Sequence, residues 1–566
     1  MEFLTKLNPK NRSQFDVGVI LLVSILLTLP FYFWGIPGGA DMPQHYQFAQ
    51  TFYDSLSNGT IYPSWSADTN YGYGDVGIRF YPPLTYYVLS FFRLIAGNWY
   101  EASCLAIAIF FFFGGFGVYK WSREYFAENS SLIGGLCYLL IPYHLFQIYQ
   151  GTLIAEFAAS AILPFCFLYT ARICQNSKFS DVFKLALTFG LLILTHIPTT
   201  VMASLALTIY VLFSLQKCNF IQTILKLMVA IFLSLLTSSF YWTRMITELD
   251  WVKHNTETFS SGEFSYQANF AFPFLAKIFG VELTSGKSFL TNMVLVMLGI
   301  LLPILTLHFI NSKEKKQPPM FNLLAMTIFS LLMVVPLSLP IWDNVQFLQK
   351  IQFPWRWLIF VSLGTAMFAA ASFETILAYF KTPQRYLSLL AVGLFSVSLL
   401  YNWFWVVNHL FYIPKDFFVG MTTRLKTAKS NDCWWTNWMP SVYSEENKKL
   451  MTRLEFLPSK IVIHDRPFEI KTWAATERVF SINEGNAGQA TIATMYYPHW
   501  KAMVNGQNVS VTPSENGLIS FPVSTEKSEV QLFFQEPPLV IFAFYISGLA
   551  WLIILGLLLK TRSSND

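Results

Sequence analysis

Charge is scarce in this sequence. Charged residues make up 13% of its 566 positions and hydrophobic residues 54%, whereas roughly a quarter of an ordinary soluble domain is charged. A soluble fold could not cover that much apolar surface, but a bilayer accepts it as solvent. Lysine and arginine fall in short clusters between apolar runs, not along one amphipathic stripe, which excludes an obvious nucleic-acid face. Cysteine is also scarce, with six in all. Cys104, Cys137 and Cys166 lie in apolar runs, Cys174 and Cys218 beside them, and only Cys433 falls in the late polar segment. No disulfide framework or paired-cysteine metal site can be built there. There is no P-loop, no dinucleotide glycine motif, no Ser-His-Asp arrangement and no internal repeat. The first apolar run, Phe15 to Trp34, is too long for a signal-peptide core and lacks a small-residue cleavage site, so it is expected to remain as a helix.

Long hydrophobic runs are what the chain has in quantity. Twelve are long enough, or nearly so, to cross a hydrocarbon layer of about 30 Å. They cover residues 15–34, 101–120, 131–149, 153–172, 183–197, 199–216, 223–242, 289–310, 320–340, 357–379, 386–410 and 539–559, the pair at 183–216 being short. With the N-terminus inside, every second loop carries the positive charge: Lys6, Lys10 and Arg12, then Lys120 and Arg123, Arg172 to Lys184, Lys217, Lys313 to Lys316, Lys381 and Arg385, and finally Lys560 and Arg562. The short connections near Gln150 and Pro198 on the other side carry none. The expected fold is therefore a polytopic α-helical membrane protein of about 12 spans. Its membrane domain would cover residues 1–410 and include a large outer loop at 35–100. A small extracytoplasmic β-rich domain would follow at 411–538, then a final span and cytoplasmic tail at 539–566.

Residues 43–56 read as an amphipathic helix, with Pro43 in its first turn and Phe48, Phe52 and Leu56 on one stripe. Such a helix is expected in the interface plane, as is the run from Tyr81 to Leu94, which begins Tyr-Pro-Pro and contains Arg93. Later the period changes to two, at Ala490 to Met495, Val509 to Val511, Leu518 to Val523 and Val530 to Phe534, with the hairpin dipeptide Asn505-Gly506 between strands. The aromatic stretch from Cys433 to Trp438 has no assignable element.

Ionisable groups near hydrocarbon cost about 2.5–3.5 kcal/mol at the bilayer centre and less toward its surface, so their positions carry the functional signal. Asp41, in Gly-Gly-Ala-Asp-Met-Pro-Gln-His, could take a proton from an incoming hydroxyl or simply favour the helix start that follows it. His45 lies four residues on, along the membrane-side stripe. Glu156 sits one turn into the fourth span with no basic neighbour in sequence, so it needs a cation, a metal or a hydrogen-bond donor from another segment. His196 ends the fifth span as a ligand or a capped helix end. Arg356, in Gln-Phe-Pro-Trp-Arg-Trp, could grip a phosphate or anchor its helix at the headgroups. Asp68, Asp75 and Arg79 are weaker candidates from the first outer loop. Acids and an arginine gathered at one face suit a reaction with a lipid phosphate as leaving group and a hydroxyl as acceptor.

At these residues the sequence resembles a known family. The matching pieces are Asp41 to His45, Gly59 to Trp65, Gly72-Tyr-Gly, Phe80-Tyr-Pro-Pro-Leu, Glu156, His196-Ile-Pro and Gln352-Phe-Pro-Trp-Arg. Together they look like the bacterial membrane proteins labelled 6-pyruvoyl-tetrahydropterin synthase-related, although no soluble pterin-enzyme motif is present. That family is similar in turn to the GT-C superfamily of membrane glycosyltransferases, which move a sugar from a polyprenyl-phosphate-type carrier to an acceptor outside the cytoplasm. The stretch from Tyr497-Pro-His-Trp to Asn505-Gly506 resembles the C-terminal domain of related bacterial membrane proteins. The resemblance implies catalytic roles for Asp41, as base, and Glu156. It implies substrate-binding roles for His45, Arg79, His196 and Arg356, the last as phosphate ligand. A second acid does not follow Asp41, so no cofactor is required by sequence, although acids could hold a divalent metal such as Mg or Mn. The implied partners are a lipid-linked sugar donor, an envelope glycan, lipid or protein acceptor, and membrane lipids, with no nucleic acid. The implied location is the bacterial inner membrane, with both termini cytoplasmic and the active face outside. Two other readings stay open: a transporter or flippase of a lipid-linked saccharide, and a non-catalytic envelope assembly protein.

Overall fold

The computed structural model describes residues 9–39, 41–176, 178–213, 220–255, 262–283, 288–310, 318–380, 411–444, 449–464 and 466–563, with a few helical positions between 381 and 410. The helices that matter for the site are, in chain order, α1 (Pro9–Trp34), α2 (Met42–Ser57), α3 (Leu84–Ala96), α4 (Trp99–Ser122), α5 (Glu128–Leu140), α6 (Pro142–Tyr149), α7 (Ile154–Asn176), α8 (Phe179–Ile193), α9 (Ile197–Leu212), α10 (Phe220–Thr237) and α11 (Ser239–Glu248). They are followed by α12 (Ser288–Ile310), α13 (Pro318–Val334), α14 (Leu358–Phe380), α15 (Lys415–Leu425) and α16 (Pro538–Ser563).

Among the described residues, eight helices are long and apolar enough to cross a membrane, or nine if the pair Met320–Val334 and Pro336–Asn344, bent by 94°, counts as one span. The chain is a polytopic helical membrane protein, and the expected count of about 12 is not reached among the described residues. The run 386–410 lies largely outside the described residues, and the other expected runs fall on helices. Two of those are short: α8 has 15 residues and α9 has 16. At 1.5 Å per residue they reach about 22–24 Å, less than a hydrocarbon layer. The outer loop meets their junction, where the Leu84 amide donates to the Leu194 carbonyl at 2.8 Å. The run 131–149 is also interrupted. Ile141 is extended ahead of Pro142, the conformation a following proline favours, so α5 stops and α6 starts afresh. Among the spans, α7 is enclosed by its neighbours, whereas α10 and α16 turn large apolar side chains such as Phe232 and Leu552 outward.

The three segments expected on one side do gather together. Strand β1 (Ile36–Pro37) pairs with β2 (Tyr412–Ile413), and Val252 bridges Thr436. The loop carrying α2 and α3 thus packs against residues 411–440 and the turn after α11. Here the structure corrects one expectation. Phe48 and Phe52 of α2 are buried under protein, against Tyr86, Tyr87, Tyr62 and Trp434, so α2 does not lie in a lipid interface. The helix with an exposed apolar face is α3, through Phe91, Leu94 and Ile95. It ends on Gly97, whose left-handed φ of 78° suits glycine, and Asn98 then caps α4 by accepting from the Tyr100 and Glu101 amides.

The β-rich domain comprises the hairpin β3 (Ser441–Ser444) with β4 (Lys449–Thr452), then two sheets. Their strands are β5 (Ile461–Val462), β6 (Phe468–Trp473), β7 (Glu477–Ile482), β8 (Gly488–Met495), β9 (Trp500–Val504), β10 (Gln507–Val509), β11 (Thr512–Pro513), β12 (Leu518–Val523) and β13 (Ser528–Phe534). One sheet runs β10-β9-β13-β7-β6 and the other β11-β12-β8-β5. Asn505 and Gly506, with φ of 50° and 79°, make the turn between β9 and β10, as the dipeptide predicts. Buried Ile482, Ile492, Phe521 and Leu532 belong to one core that continues into the outer loop through Trp65 and into residues 411–440 through Trp434.

Candidate active site

The segment before Asp41 is held against the start of α7. A side chain at Gly39 would meet the Gly151 carbonyl and Thr152 Oγ1 at 2.4 Å, so the backbone approach there requires glycine. Thr152 Oγ1 donates to the Pro37 carbonyl at 3.0 Å. Asp41 therefore sits near the helix start that carries Glu156. It occupies the N-cap position of α2 but its side chain makes no cap bond, and its carboxylate is exposed without a hydrogen bond or ion pair among the described residues. Its place at the helix start is compatible with the plainer reading, an acid favoured by the positive end of α2. His45, one turn further, is buried; its Nδ1 shares a hydrogen bond of 3.0 Å with Tyr86 Oη, and its ring meets Tyr81 edge-on. Burial pulls the His45 imidazole below its ordinary value against the opposing pull of Asp41, which keeps it neutral at pH 7.

Glu156 finds its missing partners across helices. One oxygen accepts from Tyr143 Oη and from Gln147 Nε2 at 2.9 Å, both on α6, and the other accepts from Arg356 Nε at 3.1 Å. Arg356 also donates from Nη1 to the Ile351 carbonyl at 2.7 Å and lies 4.7 Å from the Phe353 ring and 5.9 Å from that of Trp355. Its Nη2 has no protein partner among the described residues. The turn before it is strained: Gln352 holds a left-handed φ of 67°, which a non-glycine residue keeps only when its surroundings impose it. His196 caps α9, accepting from the Thr199 amide at 3.4 Å, and lies within electrostatic reach of Arg356 and His45.

Tyr81 joins the groups. Burial raises its hydroxyl well above the ordinary tyrosine value; the charges of Asp41 and Glu156 add to this and that of Arg356 opposes it. Asp41, Glu156 and Arg356 thus all lie within electrostatic range of Tyr81, and His196 lies within range of His45 and Arg356. Tyr81, Tyr143 and Gln147 are additions. Tyr143 and Gln147 were hidden in a run read as one continuous span, where polar His144 and Gln147 were the available signal.

Arg79 is a correction. It is fully buried, donating from Nε and Nη2 to Glu248 at 2.9 Å each and from Nη1 and Nη2 to Glu536 at 2.5 and 3.1 Å. Tyr497 Oη donates to Glu248 at 2.6 Å, His499 approaches the same carboxylate at 3.2 Å, and Arg244 donates to Glu536 at 2.9 Å. The group ties the outer loop, α11, the β-domain and the start of α16 together, and no face of Arg79 is left for a substrate. A metal fares no better on fit. No three His, Cys, Asp or Glu among the described residues are arranged to hold one, and Glu156 already has both oxygens engaged.

The apolar helices define a multi-pass membrane protein. Its family is shown: the chain belongs to the family described as 6-pyruvoyl-tetrahydropterin synthase related domain, a membrane protein, whose profile matches residues 78–412. A relative from Lactococcus lactis subsp. cremoris (strain MG1363), an uncharacterized protein, is 24% identical over 226 residues, which is 38% of this chain and 36% of that one. The chain thus matches about a third of that relative's length. Among solved structures, the mycobacterial arabinofuranosyltransferase AftD aligns with a TM-score of 0.45 at 14% identity, over 69% of this chain and 26% of its own. ArnT from Cupriavidus metallidurans, bound to undecaprenyl phosphate, aligns with a TM-score of 0.40 at 11% identity, over 74% and 75%. The oligosaccharyltransferase AglB from Archaeoglobus fulgidus, with an inhibitory peptide and a dolichol-phosphate, aligns with a TM-score of 0.43 at 13% identity, over 74% and 57%.

Proposed function

We propose that this protein is a glycosyltransferase that moves a sugar from a polyprenyl-phosphate-type carrier to an acceptor hydroxyl, on the extracytoplasmic face of a bacterial inner membrane. The observation that carries this reading is the pairing of an unengaged carboxylate, Asp41, with an arginine, Arg356, that is anchored on one edge and open on another. Tyr81 stands within reach of both. Arg356 binds the carrier phosphate through Nη2, held in orientation by Glu156 and the Ile351 carbonyl. The acceptor oxygen attacks the anomeric carbon while its proton passes to Asp41. The bond from that carbon to the phosphate oxygen breaks, and its electron pair stays on the phosphate, whose charge Arg356 stabilises. Attack opposite the leaving group inverts the anomeric centre. Glu156 acts through Arg356 and is a positioning residue. Neutral His45 and capped His196 shape the pocket, and the single free acid fits a mechanism in which the base is one carboxylate.

Mass spectrometry of lipid-linked sugars and envelope glycans tests this in cells with the native protein, a deletion, or Asp41→Asn. The expected result is that deletion and Asp41→Asn lose the same glycan and accumulate its donor, with Asp41→Asn protein inserted at normal levels. A general base contributes about 10²–10⁴-fold. Normal transfer by Asp41→Asn removes Asp41 from the mechanism. Altered glycans in the deletion alone would favour transport of a lipid-linked saccharide.

A further inference from the structure

A second place on the outer side is built to hold something. A cleft of about 1250 Å³ opens between the first outer loop and the β-domain, lined on one side by the C-terminal end of α2 and the loop that follows it, and on the other by residues near Phe456 to Lys460 and Trp473 to Thr476. It is not the Asp41 site. Asp41 precedes α2 and Asp54 of the cleft lies near its far end, so the two stand about 20 Å apart along the helix axis.

Three features describe what the cleft would take. Tyr71 and Phe456 lie side by side on its rim with ring centroids 5.4 Å apart, and they are 58% and 62% exposed. Tyr71 is held there deliberately: Asn70 and Tyr71 have φ of 56° and 60°, and their amides donate to the Ala428 and Thr427 carbonyls at 3.0 and 2.7 Å. Consecutive left-handed non-glycine residues persist only where the surroundings impose them. Asp54 and Asp68 flank Lys426 at 2.8 and 3.2 Å, a set of acceptors and donors suited to hydroxyls. The charge is balanced against a polyanion, because Lys426 is neutralised by two carboxylates and the Lys460 ammonium lies over the Trp473 ring at 4.9 Å. Exposed aromatic faces bind the C–H faces of sugar rings by apolar contact, while carboxylates and hydroxyls such as those of Thr60 and Ser459 bind their rims.

We propose that this cleft is the subsite for the saccharide chain of the acceptor, holding an uncharged glycan on the β-domain side while its end reaches Asp41. The assignment rests on the glycosyl-transfer reading for the word acceptor, but glycan binding itself does not depend on it. The test uses detergent-solubilised full-length protein passed over immobilised neutral polysaccharide, released from the envelope of cells that express it. Retention is compared for the native protein, Asp41→Asn and the double variant Tyr71→Asn with Phe456→Ser. Asparagine tolerates left-handed backbone at position 71 and both rings are exposed, so the fold is spared, and a melting curve verifies this. The native protein and Asp41→Asn are expected to be retained alike, and the double variant at least tenfold less. Equal retention of the double variant, or no retention of the native protein, overturns the assignment. Because Asp41→Asn reports on chemistry in the glycan assay and not on retention, failure of the transferase reading and failure of the cleft are read separately.

Discussion

Two arginines, Arg79 and Arg356, each lie against a buried glutamate, and they do different work. Arg79 is enclosed by two carboxylates, with the rings of Tyr497 and Phe534 at 5.6 and 5.3 Å. Every charge near it is answered within the protein. Arg356 has one carboxylate, one carbonyl and two rings, and Asp41 nearby has no partner among the described residues. A saturated ion cluster joins parts of a fold, whereas an unsaturated one is available to a ligand. Residue type and burial alone do not separate the two; the count of answered charges does.

The comparison can be broken most forcefully at Arg79. Arg79→Met leaves Glu248 and Glu536 without their main cation, and breaking a buried ion group by removing one partner costs about 3–5 kcal/mol. Tryptophan-monitored unfolding should show that loss, with the β-domain released first. Full stability with transfer abolished would reverse the assignment of the two arginines.

The opposite signature is expected at the other site. Glu156→Gln removes a competing negative charge but also the group that orients Arg356. Steady-state kinetics with a polyprenyl-phosphate sugar should show kcat down about 10–100-fold and the donor KM unchanged or lower. A raised KM together with a lowered melting temperature would make Glu156 merely structural.

The smallest effect is in pH dependence. Burial alone would raise the Glu536 carboxyl, but Arg79 and Arg244 beside it bring it down from 4.5 to about 2. A carboxylate depressed by folding contributes stability that is fully present above the unfolded value and lost as pH falls through the folded one. The docking of the β-domain should therefore hold above pH 4.5 and weaken progressively toward pH 2, as followed by limited proteolysis. Glu536→Gln should flatten that acid limb; an unchanged limb would place the sensitivity elsewhere.

Much of this was legible in the residues. Hydropathy and the alternation of basic loops gave the membrane class, the runs that became helices and the three segments that gather on one side, because lipid exposure constrains composition directly. Asn505-Gly506 marked its hairpin because two successive positive φ angles restrict residue choice. Asp41, Glu156 and Arg356 stood out because ionisable groups near hydrocarbon need a reason. What the residues could not give was pairing. Whether Arg79 or Arg356 was the open one depended on carboxylates at positions 156, 248 and 536, far away in sequence. The apolar stripe of α2 was read as lying in the lipid interface, whereas protein covers it, since a stripe does not say what covers it. Sequence by itself determined where hydrocarbon could be met and which groups could carry charge. Only the tertiary structure decided which charges were answered, because neutralisation is a matter of ångströms between segments that the chain order keeps hundreds of residues apart.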